Sequence, residues 1–121
     1  MVIGIVGSRR RNTITDKLLV EAALINVLTS TSKECSLVSG GCPQGGDRFA
    51  EELAEEKDLS IKIHRAEWNK RGRGAGYYRN TFIANDADVL IACVAPDRLG
   101  GTEDTIRKFL AREGHGELIL V

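Results

Sequence analysis

Short apolar runs alternate along the chain with segments in which apolar residues recur at helical spacing. Runs of this kind, with no regular polar alternation, are typical of strands that are buried on both faces. The pattern therefore predicts an α/β fold, a Rossmann-like three-layer α/β/α sandwich around a mainly parallel sheet of five or slightly more strands. No repeat or linker interrupts it, so residues 1–121 are predicted to form one domain. The predicted strands are Val2–Val6, Cys35–Val38, Leu59–Ile63, Ala87–Val94 and Glu117–Val121.

Four segments between these runs have the spacing of amphipathic helices. The first begins at Thr13, which forms a capping-box pattern with Asp16, and ends in the Ser/Thr-rich stretch 29–32. A basic, glycine-rich loop over residues 65–76 precedes a short helix predicted from Tyr77 to about Asn85. The residues expected to face inward from the first, second and last helices are Ile14, Leu18, Ala22, Ile25 and Leu28; Phe49, Ala50, Leu53 and Ala54; and Ile106, Phe109 and Leu110.

Composition and charge narrow the function classes. The chain has 17 Lys+Arg and 17 Asp+Glu residues, so no global positive field attracts it to nucleic acid. No apolar run approaches the roughly 20 residues that span a bilayer, and at the amino terminus the charges follow the apolar stretch, the reverse of a secretory signal. The three cysteines (Cys35, Cys42 and Cys93) form no C-x-x-C pair. We therefore expect a cytoplasmic protein with neither a disulfide framework nor a metal site.

Three of the predicted strands end in glycine-rich loops that suit a phosphorylated ligand. Glycine allows close backbone approach, and the amides at a following helix N-terminus attract anions. Hydroxyl groups and an arginine in these loops can add hydrogen bonds to phosphate. The alternative is that these glycines merely end strands and cap helices. The loop residues are Gly7, Ser8 and Arg9; Ser39, Gly40 and Gly41 with Gly45, Gly46 and Asp47; and Gly100, Gly101 and Thr102.

Common nucleotide and hydrolase motifs are missing from these loops. The first strand is not followed by G-x-G-x-x-G, and the second ends in Ser-Gly-Gly instead of the acidic residue that binds ribose in dinucleotide dehydrogenases. The chain also lacks G-x-x-x-x-G-K-[ST] and G-x-S-x-G. These absences argue against a standard dehydrogenase, a P-loop NTPase and an α/β-hydrolase.

The same loops resemble the SLOG superfamily, which groups the Smf/DprA DNA-processing proteins with the LOG phosphoribohydrolases. The motifs are most similar to the YspA/YpsA-related branch and extend, in order, over nearly the whole chain. They are G-S-R (7–9), V-S-G-G-C-P-Q-G-G-D-R (38–48), A-E-W (66–68), Y-Y-R-N-T (77–81), A-D-V-L-I-A (87–92) and G-G-T-E-D-T (100–105).

The resemblance implies a protein that binds nucleotides or nucleotide-derived ligands such as ADP-ribose or NAD, and a homodimer or higher homo-oligomer. LOG enzymes cleave the N-glycosidic bond of a nucleoside 5′-monophosphate, using an arginine that corresponds to Arg79 and a glutamate in P-G-G-x-G-T-x-x-E. That glutamate position falls here on Thr105. Glu103 lies two residues earlier, about 160° away around a helix. The difference favours binding, as by a sensor, over LOG-like hydrolysis. A DprA-like DNA-binding module is the third alternative.

Individual residues keep more than one interpretation. Asp47 is a helix N-terminal carboxylate, an acceptor for ribose hydroxyls or a general base. Arg48 is a phosphate clamp or a solvated side chain. Arg79, beside Asn80, is a ligand anchor or an ordinary surface arginine. If the protein is a hydrolase, the candidate catalytic residues are Arg79, Asp47 and Glu103.

The aromatic side chains and the basic loop are equally ambiguous. Tyr77 or Tyr78 can stack on a base or pack in the core or at an interface. Trp68 is a packing anchor or a stacking residue. The loop over residues 65–76 is a lid over the phosphates, a nucleic-acid contact or a solvated segment. No cofactor is expected to be required.

Overall fold

The computed structural model describes all 121 residues and contains one five-stranded sheet. The strands lie in the order β3-β2-β1-β4-β5, and every neighbouring pair is parallel. The chain thus starts in the middle of the sheet, builds one edge and then returns to build the other, so the order reverses between β1 and β4. The predicted Rossmann-like α/β fold is confirmed. The strands are β1 (Val2–Gly7), β2 (Ser36–Ser39), β3 (Ile61–Ile63), β4 (Val89–Cys93) and β5 (Leu118–Leu120).

Helices connect the strands and cover both faces of the sheet. The predicted basic loop over residues 65–76 is partly helical, because it contains a short helix at Trp68–Arg71, a 3₁₀ turn at Gly72–Gly74 and the start of the helix Ala75–Asp86. None of the helices has the length and apolar character that crossing a bilayer requires. The helices are α1 (Ile14–Thr29), α2 (Gly46–Glu56), α3 (Trp68–Arg71), α4 (Ala75–Asp86) and α5 (Gly101–Leu110).

Two hydrophobic cores lie on opposite faces of the sheet. Alternation along β4 sends Ile91 and Cys93 into the core beneath α1 and α2, and Leu90 and Ala92 into the core beneath α4 and α5. Each large side chain that is fully buried in this way contributes about 1.5–3 kcal/mol to folding. Cys93 is fully buried in the first of these cores, and burial raises the pKa of its thiol.

The predicted inward face of α1 is wrong at four of its five positions, and only Leu28 packs against the core. Val20 and Leu24 are fully buried, whereas Ile14, the first residue of the predicted face, is 80% exposed. Since α1 has apolar residues on both sides, periodicity alone could not select the side that packs on the sheet. The last helix shows a smaller error of the same kind, because Ile106 and Phe109 are buried but Leu110 is exposed. The predicted inward residues of α2 are all buried, namely Phe49, Ala50, Leu53 and Ala54.

Candidate functional site

A cavity of about 610 Å³ opens at the carboxyl ends of β1 and β4, where the strand order reverses. Open parallel sheets bind ligands at this position, and small-molecule sites have volumes of about 300–1,000 Å³. Nine of the residues proposed from the sequence line it: Gly7, Ser8, Arg9, Asp47, Arg79, Asn80, Gly100, Gly101 and Thr102.

An ion pair joins the two loops that form the rim of the cavity. Arg10 donates to both carboxylate oxygens of Asp97, at 2.8 and 2.6 Å, and to the Leu99 carbonyl oxygen at 3.0 Å. The hydrogen bond from Arg10 lowers the pKa of Asp97 to about 2 and raises that of Arg10. The loop after β4 is thereby tied to the loop after β1, although neither residue was selected from the sequence.

Arg79 extends from α4 into the cavity and is held by the protein on one side only. Its Nε donates to Asn80 Oδ1 at 3.0 Å, and its Nη1 donates to the carbonyl oxygen of Gly40. Its Nη2 forms no hydrogen bond within the protein. The guanidinium is thus fixed in orientation while two of its N–H groups remain available to a ligand.

Asn80 orients Arg79 and links α4 to the start of α5. Its Oδ1 accepts from Arg79, and its Nδ2 donates at 3.2 Å both to the Gly101 carbonyl oxygen and to Asp104 Oδ2. Both ends of the amide are engaged within the protein. Asn80 therefore lies beside the site as predicted, but its contacts position other groups.

Asp47 lies in the first turn of α2, where the helix dipole favours a negative charge. Its Oδ2 accepts from the Cys42 amide at 3.0 Å, and its Oδ1 lies 2.8 Å from Ser39 Oγ. The Ser39 hydroxyl is also within hydrogen-bonding distance of the Ile5 carbonyl oxygen, at 2.5 Å, and is buried. The Ser39 hydroxyl thus holds the Asp47 carboxylate in place, and Asp47 and Cys42 are the residues of this segment that line the cavity.

The glycines after β2 serve close packing and do not line the cavity. A Cβ atom at Gly46 would lie 2.3 Å from the Val6 carbonyl carbon, and one at Gly45 would lie 2.5 Å from the Ser8 carbonyl oxygen. The start of α2 therefore rests directly on the end of β1. The predicted binding residues that lie outside the cavity are Ser39, Gly40, Gly41, Gly45, Gly46 and Arg48.

Arg48 and Glu103 are both engaged in contacts outside the cavity. Arg48 donates to Asn12 Oδ1 at 3.1 Å and to Glu52 Oε2 at 2.8 Å. Glu103 accepts two hydrogen bonds from Arg98, each 2.9 Å long. Of the three candidate catalytic residues, only Arg79 and Asp47 are brought together, on either side of Gly40.

The N-terminus of α5 points uncapped backbone amides at the cavity. Gly100 precedes the helix with a φ of 119°, in the region that favours glycine, and no side chain caps the first turn. The amides of Gly101 and Thr102 have no acceptor within the protein, and both residues line the cavity. A helix N-terminus of this kind attracts anions.

Positive charge exceeds negative charge around the cavity. Four arginines and two aspartates line it, and one of the aspartates is neutralised by Arg10. Arg9 and Arg73 form no ion pair or side-chain hydrogen bond with the protein. Because these guanidiniums lack partners, their charge is available to a ligand.

Some lining residues had no role in any of the sequence-based hypotheses, Arg10 and Asp97 among them. Arg10 is the middle residue of three consecutive arginines whose side chains make different contacts. Arg9 lines the cavity, Arg10 forms an ion pair with Asp97, and Arg11 forms an ion pair with Asp16. Three identical neighbouring residues gave no indication in the sequence of which arginine would make which contact. Cys42 and Leu99 also line the cavity without having been predicted, whereas the candidate stacking residues Trp68 and Tyr77 and, from the basic loop, Arg73 do line it.

No group of three or more His, Cys, Asp and Glu side chains is arranged to hold a metal ion. The chain matches no protein-family model, no curated protein and no solved structure. The cavity itself is therefore the basis for any assignment of function.

Proposed function

We propose that the cavity binds a nucleotide or a nucleotide-derived phosphorylated ligand of the ADP-ribose or NAD type, and that the protein acts as a binding protein or sensor. One observation carries the proposal: unpaired arginines and uncapped helix amides line the same cavity at the switch point of a parallel sheet. Both groups favour an anion with several oxygen acceptors.

The phosphate is assigned to the side of the cavity that contains Arg9 and the start of α5. The amides of Gly101 and Thr102 supply two donors there. The free Nη2 of Arg79 supplies a further donor from a guanidinium already oriented by Gly40 and Asn80. Pre-orientation reduces the entropy lost when a ligand binds.

The sugar and the base are assigned to the remaining lining groups. Asp47 is the lining carboxylate without an ion pair, and each of its oxygens retains a lone pair for a ribose hydroxyl. Trp68 and Tyr77 are both exposed and line the cavity, so a base can stack on either ring.

The first test is a thermal-shift screen against nucleoside monophosphates, ADP-ribose, NAD and cyclic ADP-ribose derivatives, with mass spectrometry of each mixture. A ligand that binds only the folded protein raises the melting temperature. Trp68 is the single tryptophan of the chain, so its fluorescence reports binding in the same samples.

Matched arginine variants locate the binding in the cavity. Arg9→Gln with Arg73→Gln should weaken binding by roughly tenfold to a hundredfold or more, because a hydrogen bond to a charged group contributes about 1.5–3 kcal/mol. Arg65→Gln is the control, since Arg65 is exposed and does not line the cavity. Equal affinity in the double variant and the control would refute the assignment of the site.

A second candidate is hydrolysis of a nucleotide N-glycosidic bond, and the position of Asp47 favours it. The carboxylate could accept a proton from water as the water attacks the anomeric carbon, while the departing base takes the bond electrons. Asp47→Asn should then abolish release of the base, and Glu103→Gln should leave it intact because Glu103 is paired with Arg98 outside the cavity. Binding with the ligand recovered intact would favour the sensor.

A further inference from the structure

The residues that line the cavity divide into an exposed rim and a buried floor. The rim contains three of the four lining arginines, the rings of Trp68 and Tyr77, and the start of α5. Five lining residues are buried, and we call these five the floor. No arginine or lysine belongs to the floor, so the positive charge of the cavity lies above it. The floor residues are Val6, Asp47, Asn80, Ile83 and Thr105.

Thr105 places a hydroxyl group without a partner at the floor. The residue is 1% exposed, and its Oγ1 forms no hydrogen bond with the protein. Every side-chain nitrogen or oxygen that the protein encloses completely has a hydrogen-bond partner. The Thr105 hydroxyl is therefore not enclosed, and it opens onto the cavity that the residue lines. A buried hydroxyl without a protein partner destabilises the fold unless water or a ligand bonds to it.

The floor offers a ligand hydrogen-bond acceptors, whereas its amide donors are already used. The Asp47 carboxylate can only accept, and each of its oxygens retains a lone pair beside its one contact within the protein. The Asn80 amide nitrogen donates to two oxygens of the protein. The Thr105 hydroxyl can accept and can donate. The group that fits the floor is therefore one that brings its own O–H donors.

A sugar matches these groups, and a phosphate does not. A phosphate at the floor would meet the negative charge of Asp47 with no floor cation to offset it. Sugar hydroxyls can donate to Asp47 and exchange a hydrogen bond with Thr105, while the carbon atoms of the ring pack against Val6 and Ile83. Small-molecule sites commonly combine an apolar lining with a few polar groups that fix the orientation of the ligand.

We propose that the floor is a diol-binding pocket, in which Asp47 and Thr105 each bond to one of the two neighbouring ribose hydroxyls. The ribose lies deepest in the cavity, and the phosphate and the base lie toward the rim. This inference rests on the function proposed above and adds a requirement to it, namely that both ribose hydroxyls are present. An analogue that lacks either hydroxyl leaves a buried polar group unpaired, and sites built in this way reject such analogues strongly.

Calorimetric titration of the wild-type chain with AMP, 2′-deoxy-AMP and 3′-deoxy-AMP tests the requirement. Both analogues should bind at least about tenfold more weakly than AMP, because each leaves Asp47 or Thr105 without its partner. The three ligands carry the same phosphate and the same base, so the comparison isolates the two hydroxyls. Either analogue binding as tightly as AMP would overturn the proposal.

Thr105→Val removes the hydroxyl and keeps the branched shape of the side chain. It should weaken AMP binding about fivefold or more and abolish the preference for AMP over one of the two analogues, the one that lacks the hydroxyl bound by Thr105. The melting temperature of the free protein should not fall, because the hydroxyl has no partner in the protein.

Thr81→Val is the matched control for Thr105→Val. Thr81 lies on α4 outside the cavity, and its hydroxyl donates to the Tyr77 carbonyl oxygen at 3.4 Å. The control should retain the wild-type affinity for all three ligands. Unchanged AMP affinity in Thr105→Val, or an equal loss in Thr81→Val, would overturn the role of Thr105.

Ribose 5-phosphate and 2-deoxyribose 5-phosphate separate this inference from the proposed function. Each nucleotide of the screen contains a ribose 5-phosphate unit, so the pair applies whichever nucleotide binds. A preference for ribose 5-phosphate without binding of any nucleotide would refute the nucleotide proposal and support the diol-binding pocket. Nucleotide binding without a preference for the ribose hydroxyls would refute the diol-binding pocket alone. Binding of neither the sugar phosphates nor the nucleotides would refute both.

Discussion

Gly46 lies at the closest contact between a helix and the sheet, and its substitution by alanine has a calculable consequence. A Cβ atom at this position would lie 2.3 Å from the Val6 carbonyl carbon, 2.4 Å from the Gly7 amide nitrogen and 2.5 Å from the Val6 carbonyl oxygen. All three are backbone atoms of the central strand β1, so no side-chain rotation can relieve the overlap. The start of α2 has to move by about 1 Å or more to reach ordinary contact distances.

The expected cost follows from the rigidity of both partners. Overpacking a core typically costs about 1–3 kcal/mol, and occasionally more, when side chains can adjust. Here backbone meets backbone, so Gly46→Ala should lower the free energy of unfolding by about 3 kcal/mol or more. That is a large part of the roughly 5–15 kcal/mol that stabilises an ordinary domain.

Urea unfolding followed by circular dichroism measures the loss. With a slope of about 1–3 kcal/mol/M, the urea midpoint should fall by roughly 1–3 M. Gly101→Ala is the control, because a Cβ there meets nothing within 4 Å, and we expect a change of no more than about 1 kcal/mol. If the midpoint of Gly46→Ala equals that of the control, the reasoning about this contact is wrong.

Two further predictions concern the cavity. Gly40→Ala should weaken ligand binding more than it destabilises the fold. The new Cβ would lie 2.6 Å from Arg79 Nη1 and 2.8 Å from Asp47 Oδ2, and these ends of side chains can move away at the expense of the site. Ligand titration and thermal unfolding of the same sample separate the two effects. The hydrogen bond from Arg10 holds the pKa of Asp97 at about 2, below the ordinary 3.8. The ion pair between Arg10 and Asp97 therefore stabilises the fold fully above about pH 4, and this stabilisation is lost as the pH falls through 2. Asp97→Asn should lower the melting temperature above pH 4 but narrow its difference from the wild type toward pH 2, and a difference that is constant with pH would contradict this account.

Much of the fold could be predicted from the sequence because burial in an α/β sandwich requires local patterns. The run Ala87–Val94 predicted β4, observed at Val89–Cys93, because a strand buried on both faces has to be apolar at every position. Thr13 and Asp16 predicted the start of α1, and both hydrogen bonds of the capping box are present. These signals act within a few residues of one another.

The candidate site could be predicted only in part. Gly7 and Gly101 were placed near the cavity because the ends of parallel strands meet at one edge of the sheet. Gly46 follows a strand in the same way, yet it serves a contact between α2 and β1. Glycine in a sequence indicates that a side chain would be harmful, but not whether backbone or ligand occupies the space.

The sequence by itself determined the order of strands and helices, the cap of α1 and the edge of the sheet at which the cavity opens. It did so because periodicity, capping and strand polarity depend on neighbouring residues. Only the tertiary structure decided which side of α1 is buried and which partner each of Arg9, Arg10 and Arg11 takes. Those outcomes depend on atoms that lie far apart in the chain, such as Arg10 and Asp97, and only the folded chain brings them within hydrogen-bonding distance.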